Sequence, residues 1–246
     1  KAFILCAGRG ERLWPLSTVL PKCLWPIGGQ PCARLIAERL LTFRVSPGRL
    51  KSGIEIFICC LEKDLPLYKH EFRDLPGVEF LASAEPLGTA GQILSREARM
   101  TGPDLIFRKE TKDFLIHYGD CLVDVDFVDL LKVHRESNAS ATLVLSNRVR
   151  SEFGQVTLLS GVSDAVVQFQ EKPFLSGWTW TGIAVLAHVD YLSFGQDFGK
   201  DVFPAMLAKG ALIHAYKVEK PYYDIGSPAA YKNVNELAEQ GRLFKE

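Results

Sequence analysis

The chain has 246 residues, 47% of them hydrophobic and 24% charged, which supports a sizeable core and excludes disorder. Lys+Arg and Asp+Glu are 29 each, so the net charge is zero and neither nucleic acid nor a membrane surface is supported as the main partner. No apolar run is long enough to span a bilayer or act as a secretory leader. The 6 cysteines show no zinc-ligand spacing, and several lie in apolar runs where a thiol behaves as a small hydrophobe. The expectation is a reduced, cytoplasmic chain, trimmed at or just after its natural start.

In chain order, Phe3 to Cys6 reads as a buried strand. A loop from Ala7 to Gln30 follows; its length would count against a compact domain, but it reads as functional because it carries Arg12 and Lys22. Cys32 to Phe43 reads as an amphipathic helix, Ile54 to Leu61 as a strand, Leu65 to Leu75 as a helix and Val78 to Leu81 as a strand. Gln92 to Met100 reads as a helix, Phe114 to Tyr118 as a strand, Phe127 to Ser137 as a helix and Ala141 to Ser146 as a strand. This alternation implies right-handed βαβ crossovers and a mainly parallel sheet. Gly154 to Leu159, Val166 to Gln170 and Trp178 to Leu186 are then strand-like with little helix between them, so some antiparallel pairing is expected. Helical patterns return at Asp201 to Lys209 and Pro228 to Gln240. The chain reads as one domain, 1–246, with about 1–145 binding nucleotide and about 146–246 completing a second substrate site.

Three stretches carry chemistry. In the first, Gly8 and Gly10 allow close approach of an anion, successive N–H groups of the turn can hold it, and Arg12 and Lys22 add two positive charges. Such a loop suits a ligand with several phosphates. It is not the dinucleotide fingerprint, because Leu13 stands where a third glycine is required, and no Gly-Lys-Ser/Thr triplet occurs. In the second, Glu85-Pro86-Leu87-Gly88-Thr89-Ala90-Gly91 follows a strand and opens a helix; it reads either as a tight turn or as a surface for a flat base. In the third, Asp120 and Asp224 each follow an apolar stretch, where ligands of open α/β sheets bind. Each alone reads as a cap or turn residue, but a pair of carboxylates is what a triphosphate-bound Mg²⁺ needs. The 5 histidines have no ligand spacing, and His117 reads as buried beside the site.

Arg12-Leu13-Trp14-Pro15-Leu16-Ser17, Pro21-Lys22-Cys23-Leu24 and Pro86-Leu87-Gly88-Thr89-Ala90-Gly91 together resemble the motifs of the sugar-1-phosphate nucleotidylyltransferases. Lys200-Asp201-Val202-Phe203-Pro204 and Asp224-Ile225-Gly226-Ser227-Pro228 are most similar to the mannose-1-phosphate guanylyltransferase branch, though uridylyl- and thymidylyltransferases share most of these features. The resemblance implies an α/β fold, Rossmann-like and three-layered, with a mixed, mainly parallel sheet. It implies the reaction of an NTP with a sugar 1-phosphate to give NDP-sugar and pyrophosphate.

By the same resemblance, Leu5, Ala7, Gly8, Gly10, Arg12 and Lys22 bind the nucleotide, joined by Pro86, Gly88 and Thr89 on the base side. Gly154, Glu171, Lys172, Thr181 and Gly182 bind the sugar phosphate. Asp120 and Asp224 hold Mg²⁺, and Arg12, Lys22 and Asp120 are the catalytic set. Trp180 is bulky for its position in the sugar segment, and Tyr118 and Tyr222 stand where Asn and Trp are common. No C-terminal β-helix is expected, and a homo-oligomer is compatible with the sequence. Two rivals remain: a nucleotide-sugar sensor on the same fold, which would be expected to lose these charged residues, and a cytidylyltransferase acting on a non-sugar phosphate.

Overall fold

The structure, a computed structural model, describes residues 1–42, 54–97, 113–151, 153–158 and 165–244. Eight strands form one sheet around the short N-terminal strand β1 (Ala2–Leu5). β4 (Ile56–Leu61) and β6 (Phe114–Tyr118) flank it in parallel, and β5 (Val78–Ser83) adds in parallel outside β4. Beyond β6 the sense changes. β11 (Thr179–Leu186) runs antiparallel to both β6 and β8 (Ala141–Arg148). β12 (Ile213–Asp224) is parallel to β8, and β7 (Cys121–Val123) closes the edge antiparallel to β12. The order is β5-β4-β1-β6-β11-β8-β12-β7. A separate ribbon pairs β9 (Gln155–Leu158) with β10 (Val166–Gln170), and β2 (Pro26–Ile27) pairs with β3 (Gln30–Pro31).

Both faces of the sheet are covered, which is why β4 is apolar at every position rather than alternating. On one face Ile4, Ile56 and Ile58 pack with α1 (Cys32–Thr42), α2 (Leu65–Glu71), α4 (Phe127–Ser137) and α6 (Pro228–Glu239). On the other, Phe3, Leu5 and Phe57 pack with α3 (Gly88–Glu97) and α5 (Phe203–Ala208). The chain adopts the mainly parallel α/β sheet expected from the alternation and the three-layer architecture implied by the resemblance. No helix among the described residues is long and apolar enough to cross a membrane.

The differences from the sequence reading are local. The Ala7–Gln30 stretch is not a bare loop: it makes 3₁₀ turns at Glu11–Leu13, Leu16–Thr18 and Lys22–Leu24 and buries Leu13, Leu24, Trp25 and Ile27. α2 stops at Glu71 instead of Leu75, with Phe72 donating its N–H back to Tyr68 O at the end. α3 starts at Gly88, four residues earlier than the periodicity suggests. The helix expected from Asp201 is a π-turn, Phe198–Val202, running into α5. β7 and β12 were not expected; β12 carries Pro221 at a register shift, and Pro inside a run reads as a break. Phe43, Met100 and Leu159, expected at element ends, lie outside the described residues.

The end of β6 is tightly packed. His117 is 3% exposed, and its Nδ1 lies 2.8 Å from Tyr118 O. Gly119 follows, donating its N–H to Leu5 O at 3.0 Å. A Cβ at Gly119 would sit 2.4 Å from Cys6 Sγ and 2.9 Å from Cys23 Sγ. Gly119→Ala is therefore expected to destabilise by about 1–3 kcal/mol, read as a lower denaturation midpoint at unchanged slope. Burial lowers the His117 pKa to about 4, against the Tyr118 carbonyl contact, which opposes the shift. Between the unfolded value near 6.5 and about 4, the unfolded chain binds a proton that the folded chain refuses, so stability falls as pH falls. His117→Gln should lose on the order of 3 kcal/mol less than the parent across that window in parallel denaturation series.

Candidate active site

The ends of β1, β6 and β12 converge on one cluster of charge. Leu5 and Ala7 are buried at the end of β1, and the chain then emerges at Gly8. Among the described residues no protein acceptor takes the N–H groups of Gly8, Arg9 or Gly10. Gly10 turns in the left-handed region, φ 63°, into the 3₁₀ turn that carries Arg12. Arg12 Nη2 lies 3.3 Å from Asp224 Oδ2. The ammonium of Lys22 pairs with Asp120 Oδ2 and stands 3.5 Å from Asp224 Oδ1.

The topology explains how residues so distant in sequence meet. Asp120 lies in the turn between β6 and β7, and its carbonyl accepts from Ile225 N at 3.1 Å. Asp224 is the last residue of β12, in register with Cys121 on β7. A Cβ at Gly226 would lie 2.4 Å from Arg12 Nη2 and 2.7 Å from Asp224 Oδ1, so only a glycine leaves the Arg12–Asp224 pair undisturbed.

The charges balance within the cluster. Two cations meet two carboxylates. Burial by itself lowers the Lys22 pKa; Asp120 and then Asp224 more than offset this, and the net shift is upward. Arg12 is 66% exposed at its side chain, where such a pair contributes little to stability. Asp224 Oδ1 is a buried oxygen with no hydrogen bond. The Cys121 thiol lies 3.3 Å from Asp120 Oδ1 and 3.3 Å from the Tyr222 hydroxyl. Burial, then Asp120 and Asp224, push that thiol well above the usual range. Sequence reasoning passed over Cys121, although it directly follows Asp120.

Two clefts meet at this loop. One, about 370 Å³, is lined by Gly10, Arg12, Lys22 and Gly226. The other, about 580 Å³, is lined by Trp14, Thr18, Lys63, Glu85 and Pro86. Arg9 and Glu11 border both. The smaller cleft is lined mainly by cationic side chains, and the larger carries an exposed indole at its edge. Trp14, 73% exposed, is another residue passed over in the sequence.

Gly88 and Thr89 sit differently from expectation. Gly88 has φ 75°, and a Cβ there would lie 2.4 Å from Gln196 O. Thr89 Oγ1 accepts from Phe198 N at 2.9 Å and lies 3.4 Å from the Tyr118 hydroxyl. The glycine and the hydroxyl thus dock α3 onto the 196–198 segment, whatever else they meet.

The second set of residues gathers around the β9–β10 ribbon and β11. A Cβ at Gly154 would lie 3.2 Å from Glu171 Oε2, so these two are neighbours. Glu171 and Lys172 are exposed and form no ion pair among the described residues; Lys172 has φ 46°. Thr181 is fully buried, its hydroxyl donating to Val144 O at 2.9 Å, so only its main chain can face a ligand. Gly182, φ 80°, packs against the Tyr118 ring at a register shift in β11. Trp180 stands edge-on to Tyr118 and Phe203 and donates to Ile183 O, which accommodates its bulk in the wall. Among the described residues no hydrogen bond or ion pair joins this group to the Arg12–Lys22–Asp120–Asp224 cluster.

Known proteins resemble this chain in sequence and in fold. The sequence profile described as Nucleotidyl transferase matches residues 1–241. Mannose-1-phosphate guanyltransferase of Schizosaccharomyces pombe is 30% identical over 240 residues, covering 94% of this chain and 62% of the relative. UTP–glucose-1-phosphate uridylyltransferase of Synechocystis is 29% identical over 255 residues, covering 94% and 61%. The chain therefore spans about three fifths of the length of these curated relatives. Among solved structures, HddC from Yersinia pseudotuberculosis, crystallised with GMP-PN, superposes with a TM-score of 0.64 at 20% identity, covering 96% of this chain and 97% of the other. That likeness concerns the fold. The profile match over nearly the whole chain, with the charged cluster at the strand ends, shows that the chain belongs to the nucleotidyl transferase family.

Proposed function

We propose that this chain carries the active site of a sugar-1-phosphate nucleotidylyltransferase, which forms NDP-sugar and pyrophosphate from an NTP and a sugar 1-phosphate. The observation that supports it most is the meeting of Arg12, Lys22, Asp120 and Asp224 beside the Gly8–Gly10 turn, whose N–H groups take no protein acceptor among the described residues. The triphosphate lies on that turn, with Arg12 and Lys22 along the β- and γ-phosphates. A sugar-phosphate oxygen attacks the α-phosphorus. The new P–O bond forms as the bond to the bridging oxygen breaks, and the electron pair leaves with pyrophosphate. The attacking phosphate is already an anion, so no general base is needed; alignment and charge neutralisation supply the rate. Gly154, Glu171, Lys172 and the main chain at Thr181 and Gly182 receive the sugar phosphate.

Asp120 and Asp224 fit Mg²⁺: both offer hard carboxylate oxygens, within 4.8 Å of each other at the strand ends. When bound, Mg²⁺ supplies charge neutralisation at the α-phosphate. In the free protein Lys22 balances the same carboxylates, and an arriving triphosphate offers its ammonium a second anion. Guanylyl transfer to mannose 1-phosphate is the favoured specific reaction. The Pro86–Gly91 motif and the mannose-1-phosphate guanyltransferase relatives support it.

Pyrophosphate release, measured with Mg²⁺ across common NTPs and hexose and N-acetylhexosamine 1-phosphates, tests the reading. GTP with mannose 1-phosphate is expected to react. Another productive pair keeps the reaction and changes the substrate, whereas a folded, NTP-binding protein silent across the grid is a sensor. Asp224→Asn should lower turnover by roughly a hundredfold or more, with the denaturation midpoint nearly unchanged because the residue is partly exposed. Turnover near the parent's would remove Asp224 from the metal seat.

A further inference from the structure

We propose that Arg148, Arg150 and Arg242 frame a second anion site, apart from the Arg12–Lys22 loop, that takes a small molecule carrying a phosphate or diphosphate group. The inference stands on its own residues and does not rest on the reaction proposed above.

The site is a cleft of about 440 Å³, within the range of small-molecule pockets, where the end of β8, the end of β12 and α6 meet. The main chain builds it. Arg148 is the last residue of β8, in register with Pro221 of β12. Its N–H donates to Ser146 Oγ at 3.0 Å, and that buried hydroxyl donates to Lys220 O at 2.7 Å. Two residues on, Arg150 bridges antiparallel to Phe174. Ser151 N donates to Pro173 O and Leu175 N to Val149 O, both at 2.8 Å, which fixes that bridge. The guanidinium carbons of Arg148 and Arg150 each lie 4.5 Å from the centre of the Phe174 ring. Stacking on a ring holds a guanidinium in place while its in-plane N–H donors stay available to an anion. Arg242 comes from the segment after α6, its N–H donating to Leu237 O at 2.8 Å.

Charge decides what the cleft takes. Among the described residues its lining holds three guanidinium groups and one carboxylate, Asp224. That carboxylate already faces Arg12 and Lys22. Arg150 and Arg242 form no ion pair among the described residues; the Arg242 guanidinium donates to the neutral Gln240 amide at 3.3 Å. Gathering like charges costs energy that a shared anion offsets. Guanidinium forks match phosphate oxygens two at a time, which favours phosphate over a monatomic anion. Phe174, Val234 and Leu237 add apolar wall for an organic part of the ligand.

The test is equilibrium dialysis of the full chain against labelled inorganic pyrophosphate at low salt, without metal or nucleotide. The parent is expected to take up two equivalents, one on the Arg12–Lys22 loop and one in this cleft. Arg150→Gln combined with Arg242→Gln should weaken the cleft's equivalent at least roughly tenfold, the cost of one lost hydrogen bond to a charged group, and leave the other unchanged. Arg242→Gln alone, at an exposed residue outside any helix or strand, should weaken the same equivalent without touching the fold. Arg12→Gln should weaken only the loop's equivalent. Uptake of a single equivalent that Arg12→Gln removes overturns the proposal, as does a second equivalent that survives the double arginine variant. A single equivalent that survives Arg12→Gln and is lost in the double variant upholds the cleft and counts against the loop as the triphosphate seat.

Discussion

The site depends on one short antiparallel pairing, Tyr222–Asp224 against Cys121–Val123. It brings the end of the last strand to the turn after β6 and sets two carboxylates side by side. Like charges at that separation repel, so the arrangement needs cations. Lys22 and Arg12 supply them from a loop that leaves β1 and returns along the same strand ends. Ladder, carboxylates and cations are one structure, and removing any part exposes charge in the others.

That dependence gives the loop its form. A 24-residue connection inside a compact sheet is costly unless it packs. Here Leu13, Leu24, Trp25 and Ile27 anchor it below, and the Trp25 ring meets Tyr231 of α6 edge-on. Arg12 and Lys22 are thus presented from a secured segment. Rigid presentation matters for a reaction whose rate rests on alignment rather than on proton transfer.

Steric limits complete the design. At Gly119 and Gly226 an added methyl would strike sulfur atoms in one case and the Arg12–Asp224 pair in the other. At Gly88 it would strike the Gln196 carbonyl, which is how α3 and the 196–198 segment lock together beneath the larger cleft. Glycine in this chain serves contact between parts of the protein as much as room for a ligand.

The sequence by itself determined the class of fold and most of the charged set. Alternating apolar runs and amphipathic stretches require helices on both faces of a parallel sheet, because each element has one or two faces to bury. Arg12 and Lys22 stood out as cations of a glycine-rich loop and Asp120 and Asp224 as carboxylates after apolar stretches, and the resemblance of their motifs supplied their joint role. Only the tertiary structure decided which of them meet. β7 and β12 are short or interrupted by Pro221, and their pairing is a contact across about 100 residues that no local pattern encodes. The same applies to Thr181, whose hydroxyl turns into the sheet, and to Cys121, an ordinary buried cysteine until the ladder sets it opposite Asp224. Periodicity reports which face a residue takes; what lies across from it is settled only when distant strands pair.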